Sequence, residues 1–200
     1  MVATIVQMEN FLSPTSATAL LVIDVQESFR HRPYWCEYDL HNFVTNLKSL
    51  IGGAKSRKIP VLQIFHVEDS GPFSLESGHV VPLKDLSFTA DAVFQKHSHS
   101  ALIGSGVDVW LTRHGIRRVI ICGIRTEQCC ETTTRHASDL GYEVDYVTEA
   151  TLTFPMVSRQ GRKWTADEIK CRTELVLDGR FARIATVEEA LAAASHELVV

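Results

Sequence analysis

Residues 119–134 read VIICGIRTEQCCETTT, in which a short apolar run leads through a turn to two adjacent cysteines. An apolar run of this length and β-branched content is typical of a strand buried on both faces of a sheet. The residues from about Glu127 to Leu140 have a helical pattern, and Gly141 is placed to end that helix. The stretch therefore predicts a strand, a turn and a helix, which is the repeating unit of a parallel α/β sheet.

Apolar runs of strand length recur along the rest of the chain. Together with the first run they are ALLVI (19–23), VLQIF (61–65), AVF (92–94), RVIIC (118–122), VDYV (144–147) and FARIA (181–185). They are largely continuous rather than alternating, as expected for strands covered on both faces. We therefore predict a three-layer α/β/α sandwich around a mostly parallel, six-stranded, Rossmann-like sheet.

Helical patterns lie between these runs. Apolar residues at helical spacing occupy residues 40–51 and 107–111, and the second of these helices should stop at Gly115. A last helix is predicted at 187–195, because Thr186 and Glu189 before it have capping-box spacing. The segment 154–165 contains proline, glycine and three basic residues, and we predict an exposed loop there.

The length, charge and cysteine content of the chain exclude several classes of protein. We expect residues 1–200 to form one domain, with residues 1–16 as an N-terminal arm. The formal net charge is −4 and the basic residues are scattered, so neither nucleic acid nor an anionic membrane is an expected partner. No basic leader or membrane-spanning stretch is present, which predicts a cytoplasmic protein. Five cysteines at irregular spacing indicate reduced thiols.

Three residues follow predicted strands at positions suited to a site. Asp24 comes directly after the first strand, Lys96 just after the third, and Cys129 a few residues after the fourth. In a parallel sheet, ligands bind beyond the carboxyl ends of the strands, near the point where strand order reverses. We therefore expect Asp24, Lys96 and Cys129 to project to the same edge of the sheet.

These three residue types fit nucleophilic catalysis. A helix N-terminus and a neighbouring cation both lower a thiol pKa, and Cys129 has the position for both effects. Amides of the first helical turn have no partner within the helix and can hold an oxyanion. Asp24 can take the thiol proton, with Lys96 orienting its carboxylate. No Cys/His pair is evident, and we interpret His97 and His99 as loop residues.

Three sequence blocks carry a resemblance to a known family. TALLVIDVQESF (18–29), VFQKHSHSAL (93–102) and VIICGIRTEQCCETTTRHASDLGYEVDYVTEAT (119–151) occur in this order and at these separations. They resemble the isochorismatase-like cysteine hydrolases, a superfamily of isochorismatases, nicotinamidases and N-carbamoylsarcosine amidases. A lone aspartate or lysine would be weak support, whereas the three motifs together are specific.

The resemblance implies roles for individual residues. Asp24 matches the family's general base, Lys96 its lysine and Cys129 its nucleophile. It also implies a cis peptide between Ile124 and Arg125, which directs the backbone N–H groups of Arg125 and Cys129 at the substrate oxygen. Cys130 falls where relatives often have valine, so we assign it to packing. The chain departs from the family pattern at Leu102, which replaces the usual phenylalanine.

The substrate pocket is less well defined by the sequence. Phe29 and Trp35, with Tyr34, are candidates for an aromatic wall over the substrate, and the alternative is that they are core residues. His66 either lines the pocket or satisfies a core hydrogen bond. Arg125 either binds a substrate carboxylate or forms a structural ion pair.

A metal site is the next possibility. The candidate zinc ligands after the second predicted strand are His66, Glu68, Asp69 and His79. Their order differs from the nicotinamidase pattern. We therefore expect no metal and no cofactor.

Three functions remain open at this point. The first is a cysteine hydrolase that cleaves a C–N bond of a small amide, ureido or related substrate through a thioester on Cys129. The second is an isochorismatase-type vinyl-ether hydrolase, in which Asp24 supplies the proton. The third is a catalytically silent scaffold, or one that senses oxidants through Cys129 and Cys130. We expect a small-molecule substrate as the partner and a homo-oligomer, either a dimer or a tetramer.

Overall fold

The structure is a computed structural model that describes residues 16–195. Of the predicted N-terminal arm, only Ser16 falls among these residues, and the homo-oligomer inferred in part from that arm stays a prediction. The strands are β1 (Thr18–Ile23), β2 (Val61–His66), β3 (Ala92–Lys96), β4 (Arg118–Ile124), β5 (Glu143–Leu152), β6 (Met156–Val157), β7 (Lys163–Trp164) and β8 (Arg183–Ile184).

Six strands form one sheet, in the order β3-β2-β1-β4-β5-β8, and every neighbouring pair is parallel. The predicted six-stranded, Rossmann-like sheet is therefore confirmed. The chain builds outward from β1 to β2 and β3, then returns to place β4 on the other side of β1. Strand order thus reverses between β1 and β4, which is where parallel sheets form their sites.

Helices cover both faces of this sheet. They are α1 (Leu40–Ser56), α2 (Val107–Arg113), α3 (Glu131–Asp139), α4 (Ala166–Leu177) and α5 (Val187–Ser195), with short 3₁₀ turns at Glu27–His31, Gly71–Phe73 and Leu75–Ser77 and a π-helical turn at Thr126–Cys130. None of the helices within residues 16–195 is long and apolar enough to cross a membrane. The cytoplasmic location stays a prediction.

Successive residues of β1 belong to two separate hydrophobic cores. Leu20 and Val22 pack into the core that contains α1 and α5, whereas Leu21 and Ile23 pack into the core that contains α2 and α3. All four side chains are fully buried. The continuous apolar runs of the sequence therefore reflect strands covered on both faces, and the three-layer prediction is confirmed.

The structure corrects the prediction for residues 154–165. Most of the segment is exposed, as predicted, but it is not a simple loop, because β6 and β7 pair there as a short antiparallel hairpin and Phe154 before it is fully buried. Helix α4, which follows directly, was not predicted. The buried residues of α4 are Ala166, Ile169, Thr173 and Leu177, so its apolar stripe is weak. The sequence feature that could have predicted this helix is the capping box of Thr165 and Glu168.

Gly123 brings the two central strands together at the point where strand order reverses. It lies opposite Ile23 in the β1–β4 register, with φ at +129°. A Cβ atom at this position would lie 2.0 Å from the carbonyl oxygen of Ile23. Because that oxygen belongs to the backbone of a buried strand, it has little freedom to move, and only glycine fits.

We expect Gly123→Ala to lower the free energy of unfolding by roughly 3 kcal/mol, since it combines steric overlap with an unfavourable φ. Guanidinium chloride denaturation measures this loss. Gly52→Ala is the matched control, because nothing lies within 4 Å of its added Cβ on α1. It should raise stability by up to about 1 kcal/mol. A loss below about 1 kcal/mol for Gly123→Ala would show that the strands separate easily.

Candidate active site

The three predicted catalytic residues meet at the carboxyl edge of the sheet. Asp24 follows β1, Lys96 is the last residue of β3, and Cys129 lies in the π-helical turn between β4 and α3. Lys96 Nζ is 2.8 Å from Asp24 Oδ2 and 3.3 Å from Cys129 Sγ. Asp24 and Lys96 are fully buried, and Cys129 is 7% exposed. The ammonium group therefore bridges the carboxylate and the sulfur.

The backbone around Asp24 turns sharply at the end of β1. Asp24 has φ of +53°, in the left-handed region that aspartate enters more readily than most residues. Its N–H still donates to the Ile64 carbonyl of β2 at 2.8 Å. The carboxylate is thus carried on a backbone that is held to the neighbouring strand.

Burial dominates the electrostatics of this group of residues. It raises the pKa of Asp24 above the ordinary carboxyl value, and the nearby Lys96 ammonium only partly offsets the effect. Burial alone would lower the pKa of Lys96, but the charge of Asp24 beside it outweighs that effect and the pKa rises. A carboxyl with a raised pKa beside a permanently charged ammonium is suited to accept a proton and return it.

The expected lowering of the Cys129 pKa is not found. Burial, followed by the negative charge of Asp24, raises the pKa of this thiol well above its usual range, and the Lys96 ammonium opposes that rise without reversing it. The sequence pattern indicated the helix N-terminus and the cation but not the loss of water around the sulfur. Cys129 is therefore a thiol at rest, and its proton must move to a base when it attacks.

Two further acceptors surround the ammonium. Lys96 Nζ donates to the carbonyl oxygen of Ser98 at 3.1 Å and lies 3.2 Å from His66 Nδ1. Burial, reinforced by the charge of Lys96, lowers the pKa of His66 to about 4. The imidazole is therefore neutral at physiological pH. His66 was predicted to line the pocket or satisfy a core hydrogen bond, and it lies directly beside the lysine.

Sequence reasoning missed two polar residues at this edge. His99 is exposed, as expected of a loop residue, but its Nδ1 lies 3.8 Å from Cys129 Sγ. Gln26 is fully buried and joins the ends of β1 and β2, since it accepts from the His66 N–H at 2.8 Å and donates to the His66 carbonyl at 3.0 Å. Their positions in the sequence are what could have indicated them. Gln26 comes two residues after Asp24, and His99 comes three residues after Lys96.

The predicted cis peptide joins Ile124 and Arg125. Arg125 is buried, and its Nη2 lies 2.9 Å from Glu127 Oε1. Its guanidinium carbon lies 4.9 Å from the centre of the Tyr34 ring and 5.6 Å from that of Phe154. Of the two alternatives for Arg125, the structural ion pair is therefore present. Direct binding of a substrate carboxylate stays a prediction.

The aromatic residues proposed as a substrate wall pack around Phe154. Their ring centres lie 6.3 Å (Phe29), 5.4 Å (Tyr34) and 5.3 Å (Trp35) from that of Phe154. Phe29 also meets Phe73 edge to face at 4.9 Å. These contacts give Phe29 and Trp35 a packing role, and their contact with substrate stays a prediction. The sequence analysis did not single out Phe154, because it fell in the segment assigned to a loop.

The residues that were considered as zinc ligands do not lie together. His66 Nε2 lies 3.7 Å from Glu68 Oε1, but His79 stacks on His31 with ring centres 3.6 Å apart, and Asp69 is exposed. Within residues 16–195, no three side chains of the metal-binding types gather in a suitable cluster.

Cys130 is fully buried in the apolar core that contains α2 and α3, as its packing assignment predicted. All five cysteines, which lie within the described residues, are free thiols. Cys129 and Cys130 are therefore adjacent in sequence but differ in environment, because only Cys129 contacts Lys96.

We compared the sequence with a family model and with known proteins, and these comparisons agree. The family model described as the isochorismatase domain matches residues 18–176. YrdC of Bacillus subtilis, an uncharacterized isochorismatase family protein, is 26% identical over 175 residues, which cover 86% of this chain and 92% of YrdC. Nicotinamidase 3 of Arabidopsis thaliana is 38% identical over 64 residues, about a third of each chain.

Solved structures with a similar fold belong to the same family as these sequence relatives. A crystal structure of an isochorismatase-family protein from Chromobacterium violaceum superposes with a TM-score of 0.81 at 25% identity. The match covers 90% of this chain and 95% of that one. The similarity of the fold therefore extends over most of both chains.

Proposed function

The chain belongs to the isochorismatase family of hydrolases, and from this premise we propose that it cleaves the C–N bond of a small amide or ureido compound. One observation carries the proposal: the Lys96 ammonium lies within 3.3 Å of both a buried carboxylate and a cysteine sulfur. Nucleophile, base and cation are the groups that acyl transfer through a thioester requires. The similarity to a nicotinamidase also favours an amide substrate.

The first half of the proposed reaction forms a thioester. The Cys129 thiol gives its proton to Asp24 as Sγ bonds to the substrate carbonyl carbon, and the carbonyl oxygen becomes an oxyanion. We assign the backbone N–H groups of Arg125 and Cys129 as the donors to that oxyanion. The C–N bond then breaks, and the leaving nitrogen takes the proton from Asp24.

The second half releases the acid. A water molecule loses a proton to Asp24 as its oxygen bonds to the thioester carbon, and the C–S bond breaks. The sulfur then recovers the proton from Asp24, so carboxylate, ammonium and thiol return to their starting forms. Lys96 keeps its charge throughout, and that charge stabilises whichever of Asp24 and Cys129 is negative.

The test is the release of ammonia from a panel of small primary amides and ureido compounds by the purified protein. We expect at least one compound to release ammonia and its acid in equal amounts. If a vinyl ether such as isochorismate is cleaved while no amide reacts, the vinyl-ether alternative is correct. If neither class reacts, the scaffold alternative replaces the proposal.

A further inference from the structure

The side of Cys129 that is open to solvent carries a histidine that the proposed reaction does not use. Asp24 and Lys96 have no exposed surface, so they lie on the buried side of the sulfur. His99 is exposed, and its Nδ1 lies 3.8 Å from Cys129 Sγ. Water that hydrolyses a thioester on Cys129 has to come from the solvent side. It therefore enters past His99.

The backbone on both sides of His99 is held in place. On one side, the Ser98 carbonyl oxygen accepts a hydrogen bond from Lys96 Nζ at 3.1 Å. On the other side, Ser100 is buried, and its Oγ lies 2.9 Å from His136 Nδ1 of α3. The side chain of His99 is exposed, but the backbone that carries it is fixed at both neighbours. His99 therefore starts from a defined position beside the sulfur.

A second connection joins the loop that carries His99 to Cys129 itself. The Ala101 N–H donates to Thr133 Oγ1 at 2.9 Å, and that hydroxyl donates to the Cys129 carbonyl oxygen at 2.6 Å. Ala101 and Thr133 are fully buried, so solvent does not compete for these hydrogen bonds. The distance between His99 and the sulfur is therefore set by buried contacts between the loop and the nucleophile.

We propose that His99 is a further catalytic residue, which binds the water molecule that hydrolyses the thioester. The proposal rests on the function proposed above and deepens its second half. The water donates one hydrogen bond to His99 Nδ1 and loses its other proton to Asp24 as its oxygen bonds to the thioester carbon. The C–S bond breaks, and the sulfur recovers the proton from Asp24. His99 keeps its own proton on Nε2 throughout.

The distances allow this arrangement. A water molecule that donates to Nδ1 lies about 2.9 Å from that nitrogen. The thioester carbon is bonded to Sγ, which is 3.8 Å from the same nitrogen. A water held there can therefore come within about 3.5 Å of the carbon, the separation at which attack starts. Attack by the thiol in the first half of the reaction uses no water, so loss of His99 should slow deacylation and leave acylation nearly unchanged.

His66, the other histidine at this edge, is less suited to the task. Its Nδ1 lies 3.2 Å from Lys96 Nζ, and its Nε2 lies 3.7 Å from Glu68 Oε1. Both ring nitrogens of His66 therefore face partners within the protein, whereas His99 Nδ1 faces the reacting sulfur.

The test separates acylation from deacylation with p-nitrophenyl acetate, an ester that acetylates reactive thiols. Release of p-nitrophenolate measures acetylation. After removal of the excess ester, fragment mass spectrometry of the peptide that contains Cys129 and Cys130 measures the loss of the acetyl group from Cys129. In His99→Leu this loss should be about tenfold slower than in the wild type, the effect of one hydrogen bond to a water that becomes charged. Acetylation should change little.

His99→Asn keeps an acceptor oxygen near the position of Nδ1 and should restore most of the deacylation rate. His97→Leu, at an exposed position of the same loop, is the matched control and should behave like the wild type. Equal deacylation rates in the wild type and His99→Leu would overturn the proposal. Equal slowing of both steps in His99→Leu would indicate a merely structural role and overturn it as well. The same holds if His99→Asn is no faster than His99→Leu, or if His97→Leu is as slow.

The outcomes distinguish this proposal from the proposed function. His99 is exposed, so its replacement should not impair folding. If no acetyl group formed on Cys129 of the wild type, the thioester of the proposed function would be contradicted, and the role of His99 with it. An acetyl group that forms on Cys129 but leaves His99→Leu at the wild-type rate contradicts only the role of His99.

Discussion

Cys129→Ala is expected to abolish amide turnover, with a loss of about 10⁴-fold or more in kcat, because no acyl intermediate can form without the sulfur. Ammonia release at saturating substrate measures the loss. The structure predicts little change in stability, since the substitution removes one slightly exposed thiol and leaves the Lys96–Asp24 ion pair at 2.8 Å intact. A catalytic effect can therefore be separated from misfolding by circular dichroism and denaturation.

Cys130→Ala is the matched control for this experiment. Cys130 is the next residue and fully buried, yet it packs in the apolar core, whereas Cys129 contacts the ammonium. The control variant should lose some stability and keep most of its turnover. If Cys130→Ala lost turnover and Cys129→Ala kept it, the register of the motif would be wrong. Full activity in both variants would contradict any thioester mechanism.

Asp24→Asn should separate the reactivity of the sulfur from catalysis. We expect kcat to fall about 10³-fold, because the amide can neither take the thiol proton nor give one to the leaving nitrogen. Alkylation of Cys129 at neutral pH should instead become faster. The charge of Asp24 raises the pKa of this thiol, so its removal lowers that pKa and leaves Lys96 to stabilise the thiolate.

Asp145→Asn is the control for the loss of a buried, paired carboxylate. Asp145 is fully buried on β5 and lies 2.7 Å from Arg183 Nε and 3.4 Å from Arg118 Nη1, near the amino ends of the strands. Its replacement should reduce stability without changing the alkylation rate of Cys129. If Asp24→Asn slowed alkylation, Asp24 would not be the group that keeps the sulfur protonated.

The meeting of the three candidate catalytic residues could be predicted because their positions follow from local order along the chain. Asp24, Lys96 and Cys129 each come at or just beyond the end of a strand that the apolar pattern identifies. In a parallel sheet all such ends lie on one edge, so adjacency in space followed from the class of fold. Gly123 lies in the stretch that predicts a strand and a turn, but the close contact with Ile23 that requires glycine emerged only from the β1–β4 register.

The remaining features depend on packing between distant segments. The pKa of Cys129 rises because other elements exclude water from the sulfur, which no local pattern reveals. Phe154 follows β5 in a stretch rich in turn residues, and its burial depends on aromatic side chains that follow β1. The contact of His99 with the sulfur likewise depends on how the loop after β3 packs against α3, where Ala101 N–H donates to Thr133 Oγ1 at 2.9 Å.

We expect the sulfur of Cys129 to bond to the substrate carbonyl carbon during turnover. Rapid acid quench of the protein with an active amide, followed by mass spectrometry of the peptide that contains Cys129 and Cys130, tests it most directly. We expect the acyl group of the substrate to be attached to Cys129, and the added mass to be absent in Cys129→Ala. Turnover of an amide at full rate with no acyl group on Cys129 at any quench time would contradict it.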